Sequence, residues 1–147
     1  MATSSTVSGL AAHLRLAVTR TARRLRQEAG GELSPTLAAA LATVERHGPL
    51  TPSELAARER VQRPTATRVV ARLEAAGLIE RTGDPADRRS FLVAVTPGGR
   101  ALLRRLRTRK DAYLAERLRA LPAEDRAALA RAADILERLF EDGERRE

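Results

Sequence analysis

The fold of this chain is decided by residues 50–95, which run LTPSELAARERVQRPTATRVVARLEAAGLIERTGDPADRRSFLVAV. The stretch opens with the pattern of a capping box, in which the side chains of Thr51 and Glu54 each accept a backbone N–H at a helix start. A short helix from Pro52 to about Arg60 follows, and then a tight break at Val61–Gln62. This pattern predicts the first helix and the turn of a helix-turn-helix.

A second helix is predicted from Arg63 or Pro64 to Ala76, with Gly77 as its C-terminal stop. Its apolar residues recur at the three- and four-residue steps of a helix that is buried on one side. They are Ala66, Val69, Val70 and Leu73. The opposite side is polar and rich in arginine, so the helix is predicted to pack on the first and to present a polar face.

A β-hairpin completes the stretch. Leu78–Arg81 and Phe91–Val95 are rich in β-forming residues and predict two short strands. The segment between them, Thr82–Ser90, is polar and carries a turn signal at Asp84–Pro85. It is longer than the roughly two to five residues of most hairpin loops, so we expect its tip to project.

The flanking segments predict four more helices. The apolar stripe that begins at Val7 ends before Gly30–Gly31, and a second helix runs from the Ser34 cap to His47. Thr96–Pro97 starts another helix, and the last one follows Leu121–Pro122. The chain is therefore predicted to be mainly α with a small β-hairpin (α+β), a winged helix-turn-helix in the order α-α-α-α-β-β-α-α.

Length and composition restrict the function. The chain has 147 residues, a length that predicts a single domain spanning residues 1–147. It contains no cysteine and two histidines, His13 and His47. Disulfides and thiol chemistry are thereby excluded, and no catalytic residue, cofactor or metal site is predicted. We find no apolar run long enough to span a bilayer and no secretory signal, so we expect a cytoplasmic protein without a membrane partner.

The charge points to a polyanionic partner. The formal net charge is +8, whereas the only aromatic residues are Phe91, Tyr113 and Phe140. Modules that bind single strands stack bases on aromatic side chains, and this chain has too few of them. Double-stranded DNA, bound through arginine and helix ends, is the predicted partner.

The second helix carries the predicted major-groove contacts. The groove is about 12 Å wide and admits one α-helix, whose entering face must be polar. Arginine pairs with guanine O6 and N7, threonine contacts bases or the thymine methyl group, and a helix start attracts phosphate. Thr65, Arg68 and Arg72 are predicted to lie opposite the apolar stripe. The predicted DNA-binding residues of this helix are Arg63, Thr65, Thr67, Arg68 and Arg72. The alternative is an ordinary solvated helix face.

The hairpin tip carries a second predicted contact through Asp87, Arg88 and Arg89. An arginine on a projecting loop can enter the minor groove, where the negative potential of A·T stretches is strongest. A nearby aspartate can orient the guanidinium through charge-assisted hydrogen bonds. The alternative is a turn that surface ion pairs stabilise, each worth about 0–1 kcal/mol.

Residues 50–103 resemble the MarR family of bacterial transcription regulators. The most specific part is Asp84-Pro85-x-Asp87-Arg88-Arg89, followed by an apolar strand and Thr96-Pro97-x-Gly99. The segment LRALPAEDRAAL, residues 118–129, also resembles the link into the last helix of the family. The resemblance implies that Asp87 positions Arg89, and that Arg89 enters the minor groove.

The resemblance also implies an assembly. Family members are typically homodimers that bind palindromic promoter DNA, and many are repressors released by small, often anionic aromatic ligands. By this resemblance, residues 6–33 and 97–141 are dimerisation helices and 34–96 form the winged helix-turn-helix lobe. An intramolecular bundle of the terminal helices is the alternative.

Further hypotheses concern single features. His13 is placed by the resemblance near a ligand crevice, although a partly buried, hydrogen-bonded histidine is the simpler interpretation. The basic run from Arg100 to Lys110 has three interpretations. It is a solvated helix face, or its charge attracts DNA electrostatically, and a membrane-surface helix is the least favoured of the three. The competing functions are a non-sequence-specific architectural DNA-binding protein of the same fold and an enzyme, for which no catalytic constellation is found.

Overall fold

The computed structural model describes residues 6–144, and the side chains as far as Glu141. The elements follow the predicted order, and the fold class is confirmed. They are α1 (Val7–Ala29), α2 (Pro35–His47), α3 (Pro52–Glu59), α4 (Arg63–Ala75), β1 (Ile79–Asp84), β2 (Asp87–Val95), α5 (Pro97–Arg119) and α6 (Ala123–Glu144).

The predicted helix starts are present as side-chain caps. The hydroxyl of Ser34 accepts the Leu37 N–H at 3.3 Å. The capping box of α3 is complete, because Thr51 and Glu54 each accept the other's backbone N–H at 3.1 Å. These bonds satisfy N–H groups that have no partner within the helix.

The hydrophobic core lies where α2, α3, α4 and the hairpin meet. Leu41, Leu73 and Val93 are fully buried there. Leu50 extends the hairpin by a short antiparallel bridge, in which its N–H donates to the Val93 carbonyl and the Val93 N–H donates back. The helix-turn-helix and the hairpin thus share one core, and this core fixes their positions relative to each other.

The hairpin differs from its prediction. The strands run to Asp84 and from Asp87, so only Pro85 and Ala86 connect them, and the predicted loop Thr82–Ser90 is wrong. The register pairs Gly83 with Phe91 but Asp84 with Asp87, so residues 88–90 form a bulge in β2. The sequence missed these strand ends because both of their faces are solvated, which removes the apolar alternation that predicts a strand.

The chain divides into two compact units, one ending at Lys110 and one beginning at Asp111, and α5 passes through the boundary. In the first unit, the Thr96 hydroxyl donates to the Gly77 carbonyl and accepts the Gly99 N–H, which fixes the start of α5 against the end of α4. In the second unit, Arg117 stacks over the ring of Tyr113, at 5.2 Å from its centroid.

The terminal helices leave large apolar side chains exposed. On α1 only Ala29 is buried, and no described residue of α6 is. The exposed apolar residues on these two helices are Val7, Leu10, Leu14, Leu16, Val18, Leu129, Ile135, Leu139 and Phe140. Among the described helices, none has the length and hydropathy to cross a membrane.

Candidate nucleic-acid interface

The turn between α3 and α4 is set by Arg60. Its backbone is left-handed, with φ 54°, and its N–H bonds back to Ala57, while the Val61 N–H reaches the Ala56 carbonyl. A hydrogen bond from the Thr43 hydroxyl to the Glu59 carboxylate ties the end of α3 to α2. The turn therefore rests on backbone and side-chain bonds from both sides, and α4 leaves it in a fixed direction.

The phase of α4 is as predicted. Ala66, Val70 and Leu73 are buried, and Val69 is half-buried at the margin of the core. The side turned away from the core is a line of exposed residues at helical spacing, in which Arg68 is the only long side chain. The others on this line are Pro64, Ala71 and Ala75.

Three more predicted residues lie around this line. Arg72 is exposed on one flank and Thr67 on the other, and Arg63 is exposed at the helix start. The guanidinium of Arg63 donates to the Ser53 hydroxyl on α3. The Thr67 hydroxyl donates to the Arg63 carbonyl at 3.0 Å. Its hydroxyl oxygen can therefore accept a hydrogen bond from a base, and its methyl group can contact a base.

Thr65 does not belong to this exposed face. It is half-buried and lines a small apolar crevice with Leu55 and Val69, where α2, α3 and α4 meet. The prediction that Thr65 lies opposite the apolar stripe is therefore wrong. The error has a simple origin: the apolar stripe is wide enough to include Val69, and Thr65 lies one turn before Val69 on that edge.

The bulge of β2 places Arg88 and Arg89 at the end of the hairpin, where both are exposed. The Asp87 carboxylate accepts the backbone N–H of Arg89 at 2.9 Å. A matching bond joins Asp84 to the Ala86 N–H. No described carboxylate forms an ion pair with the Arg89 guanidinium, so Asp87 orients the backbone rather than the guanidinium.

Sequence reasoning missed a contact between the helix and the hairpin. Arg81 on β1 pairs with Glu74 on α4, with 2.6 Å between Nε and Oε2. The same guanidinium lies over the ring of Phe91, at 4.2 Å from its centroid. The available signal was the strand register, because Arg81 lies opposite the buried Val93 and so on the core-facing side of the hairpin.

Part of the basic run on α5 is neutralised within the chain. Arg107 pairs with Glu45 at 2.8 Å, and Arg105 and Arg109 both approach Glu32. Arg109 also donates to the Ala29 carbonyl. These arginines tie α5 to α2 and to the link that follows α1, so they are not simply a solvated face.

An open groove of about 1360 Å³ lies between the end of α1, α2 and α5. Its walls are apolar at Leu25, Leu33 and Leu103, and its cations are Arg23, Arg26, Arg107 and Lys110. His13 lies outside this groove, nearer the start of α1, and is exposed rather than partly buried. The apolar residues beside it on α1, Leu10, Leu14 and Leu16, are exposed as well. Among the described residues, no cluster of three potential metal ligands occurs.

The fold and sequence match known regulators. A sequence profile of the MarR family matches residues 33–91. An HTH-type transcriptional regulator of Mycobacterium leprae is 39% identical over 134 residues, which cover 90% of this chain and 94% of that protein.

Solved structures agree. A transcriptional regulator from Pseudomonas aeruginosa superposes with a TM-score of 0.83 at 35% identity, over 94% of this chain and 98% of that one. A MepR mutant of S. aureus bound to an oligodeoxyribonucleotide shares the fold, with a TM-score of 0.67 at 21% identity, over 92% and 99% of the two chains. The profile, the relatives and the shared architecture together establish that this chain belongs to the MarR family of winged helix-turn-helix transcription regulators.

Proposed function

We propose that the protein is a homodimeric regulator that binds palindromic duplex DNA in a sequence-specific manner, with α4 in the major groove and the hairpin in the adjacent minor groove. One observation carries this: on the outward line of α4, Arg68 is the one long side chain, and the other residues of that line, Pro64, Ala71 and Ala75, are small. A helix with its side chains is about 10–12 Å across, so a groove of about 12 Å admits it closely where the facing residues are small.

In this arrangement each arginine has a distinct role. Arg68 reads a base edge, Arg72 lies one turn further along, and Arg63 contacts phosphate near the helix start. Arg89 enters the minor groove, and Arg88 lies beside it on the same bulge. Thr67 contributes through its methyl group or its oxygen. Thr65, with its side chain half-buried where α2, α3 and α4 meet, supports the helix rather than reaching a base.

The dimer is supported by the exposed apolar residues of α1 and α6. Leu139 is 61% exposed and Phe140 70% exposed, which is unusual for residues of this size unless another surface covers them. We assign residues 6–33 and 97–141 to dimerisation and 34–96 to DNA binding. Light scattering tests the dimer: the expected mass at micromolar concentration is twice the 16.0 kDa of one chain, and a monomer contradicts it.

The regulator is proposed to be a repressor that a small anionic, partly apolar ligand releases. The groove beside α5 supports this, because it joins apolar walls to cations, among them Arg107, which is also held by Glu45. An anion bound there competes with Glu45 for the guanidinium. Titration of salicylate or benzoate against the DNA complex tests the idea, with Arg23→Ala and Lys110→Ala expected to weaken release.

DNA binding is tested by selection from a pool of random duplexes. The regulator enriches a palindrome and protects it from cleavage by nuclease. An architectural protein of the same fold binds the pool without enrichment, and its binding weakens with salt in the same way for every sequence. Enrichment of a site by wild type, measured at two salt concentrations, therefore separates the two functions.

A further inference from the structure

The contact between Arg81 and Glu74 joins the hairpin to α4, the two elements that are proposed above to contact DNA. Arg81 lies on β1 and Glu74 on the last turns of α4. The pair is only partly shielded, with side chains 42% and 38% exposed, so its contribution to overall stability is small. A weak surface pair that links two DNA-contacting elements can nevertheless determine their relative placement.

The strand register shows that Arg81 is directed toward the body of the protein. Residues directly opposite each other in an antiparallel pair lie on the same face, and Arg81 lies opposite Val93, which is completely buried. Phe91, two residues from Val93 on the same face, packs against the core, and its ring contacts the Arg81 guanidinium. Arg81 is thus held on two sides, by the ring and by the Glu74 carboxylate.

From this geometry we infer that Glu74, Arg81 and Phe91 form a clamp that sets the position of the hairpin relative to α4. Arg81 is a positioning residue, not a DNA contact, although it is an exposed arginine on the wing. The clamp allows Arg68 and Arg89 to reach the major and minor grooves at the same time. This inference rests on the proposed function and deepens it, because it names what fixes the spacing of the two contacts.

The sign of one substitution distinguishes the two possible roles. Glu74→Gln removes a negative charge near the DNA surface, so it tightens binding if Glu74 is only an acid facing phosphate. If Glu74 holds Arg81, the same substitution frees the hairpin and weakens binding. Glu80→Gln is the matched control, because Glu80 is an exposed acid on β1, next to Arg81, on the opposite face of the strand.

The affinity experiment uses the full chain and the duplex enriched by wild type. Arg81→Ala loses an exposed ion pair and a cation–π contact and is expected to weaken binding by about threefold to tenfold. Glu74→Gln loses the ion pair alone and is expected to weaken binding by about twofold to fivefold. The double variant should be no weaker than Arg81→Ala, and the dependence on salt should not change. Glu80→Gln should bind as tightly as wild type or more tightly. Tighter binding by Glu74→Gln, or a flatter salt dependence for Arg81→Ala, would overturn the clamp.

A second measurement does not depend on DNA. The chain has no cysteine, so two introduced cysteines are the only sites that a thiol-reactive spin label can modify. One is Ala71→Cys on α4, and the other is Ala86→Cys at the hairpin tip. Labelled chain diluted with unlabelled chain reports the distance within one protomer. Glu74→Gln is expected to broaden this distance distribution, and an unchanged distribution contradicts the clamp. If wild type enriches no duplex at all, the proposed function fails, while the distance measurement still decides the inference.

Discussion

The carboxylate of Asp87 accepts the backbone N–H of Arg89 at 2.9 Å, across one intervening residue of the hairpin bulge. The bond fixes the backbone from which the Arg89 side chain projects and leaves the guanidinium unengaged by any described acid. The backbone of Arg89 is thus fixed while its guanidinium remains available. This suits insertion of the side chain into a narrow groove, because less conformational freedom is lost on binding.

Arg89→Ala is expected to remove one cationic contact from each of two wings. Each phosphate charge neutralised contributes about 0.9 to the slope of log K against log salt, so the slope should flatten by about 2 per dimer. Fluorescence anisotropy with the selected duplex at two or more salt concentrations measures it. An unchanged slope would remove the wing from the DNA contacts.

Asp87→Ala should weaken binding in the same direction but less, because it releases the Arg89 backbone without deleting the arginine. Asp87→Asn is the informative control, since its side-chain oxygen still accepts the backbone N–H and the negative charge is gone. We expect Asp87→Asn to bind at least as tightly as wild type. If Asp87→Ala also binds more tightly, the carboxylate acts only by repelling phosphate.

Gly99→Ala is expected to destabilise the fold by about 1–3 kcal/mol, as overpacking does. A Cβ at this position would lie 2.2 Å from the Leu78 carbonyl oxygen, where backbone cannot yield easily. The adjacent Gly98→Ala is the control, because its Cβ would make ordinary contacts at 3.6 Å. Gly99→Ala should lower the melting temperature and Gly98→Ala should not. Equal melting temperatures for the two variants would contradict the close packing at the start of α5.

Arg60→Gly should stabilise the protein by up to about 1 kcal/mol. Arg60 has φ 54°, a left-handed conformation that costs a residue with a Cβ about 1–2 kcal/mol and glycine almost nothing, although glycine gives back part of the gain through unfolded-state entropy. Arg58→Gly, inside α3, should instead destabilise by about 1 kcal/mol. Chemical denaturation of both variants checks the opposite signs, and a loss for Arg60→Gly comparable with that of Arg58→Gly would refute the strain.

The helices were predictable because their starts carry specific side chains. Ser34, Thr51 and Thr96 accept backbone N–H groups at the expected helix starts, and the buried stripe of α4 follows its sequence period. The ends of the hairpin were not predictable, since both faces there are solvated and the bulge at residues 88–90 leaves no trace in hydropathy.

The positions of the candidate DNA-binding residues were predictable to the level of their elements, not of every side chain. Arg68 and Arg89 lie where the pattern and the resemblance placed them, on the outward line of α4 and on the wing. Thr65 was assigned to the wrong face of α4, because it lies at the edge of the apolar stripe, one turn before the half-buried Val69. The Glu74–Arg81 pair joins an α-helix to a strand, and such a tertiary contact requires the register between them.

The central claim is that α4 reads base sequence through Arg68. The measurement is the affinity of wild type and Arg68→Ala for the selected duplex and for a set of its single-base variants, with Arg58→Ala, an exposed arginine on α3, as control. Wild type should prefer its site over scrambled duplex by about 10³ or more. Arg68→Ala should lose about 1–3 kcal/mol and its preference at one base position in each half-site, while Arg58→Ala keeps both. Equal weakening of Arg68→Ala on every duplex, or a wild type that binds scrambled DNA as tightly as its selected site, would contradict the account.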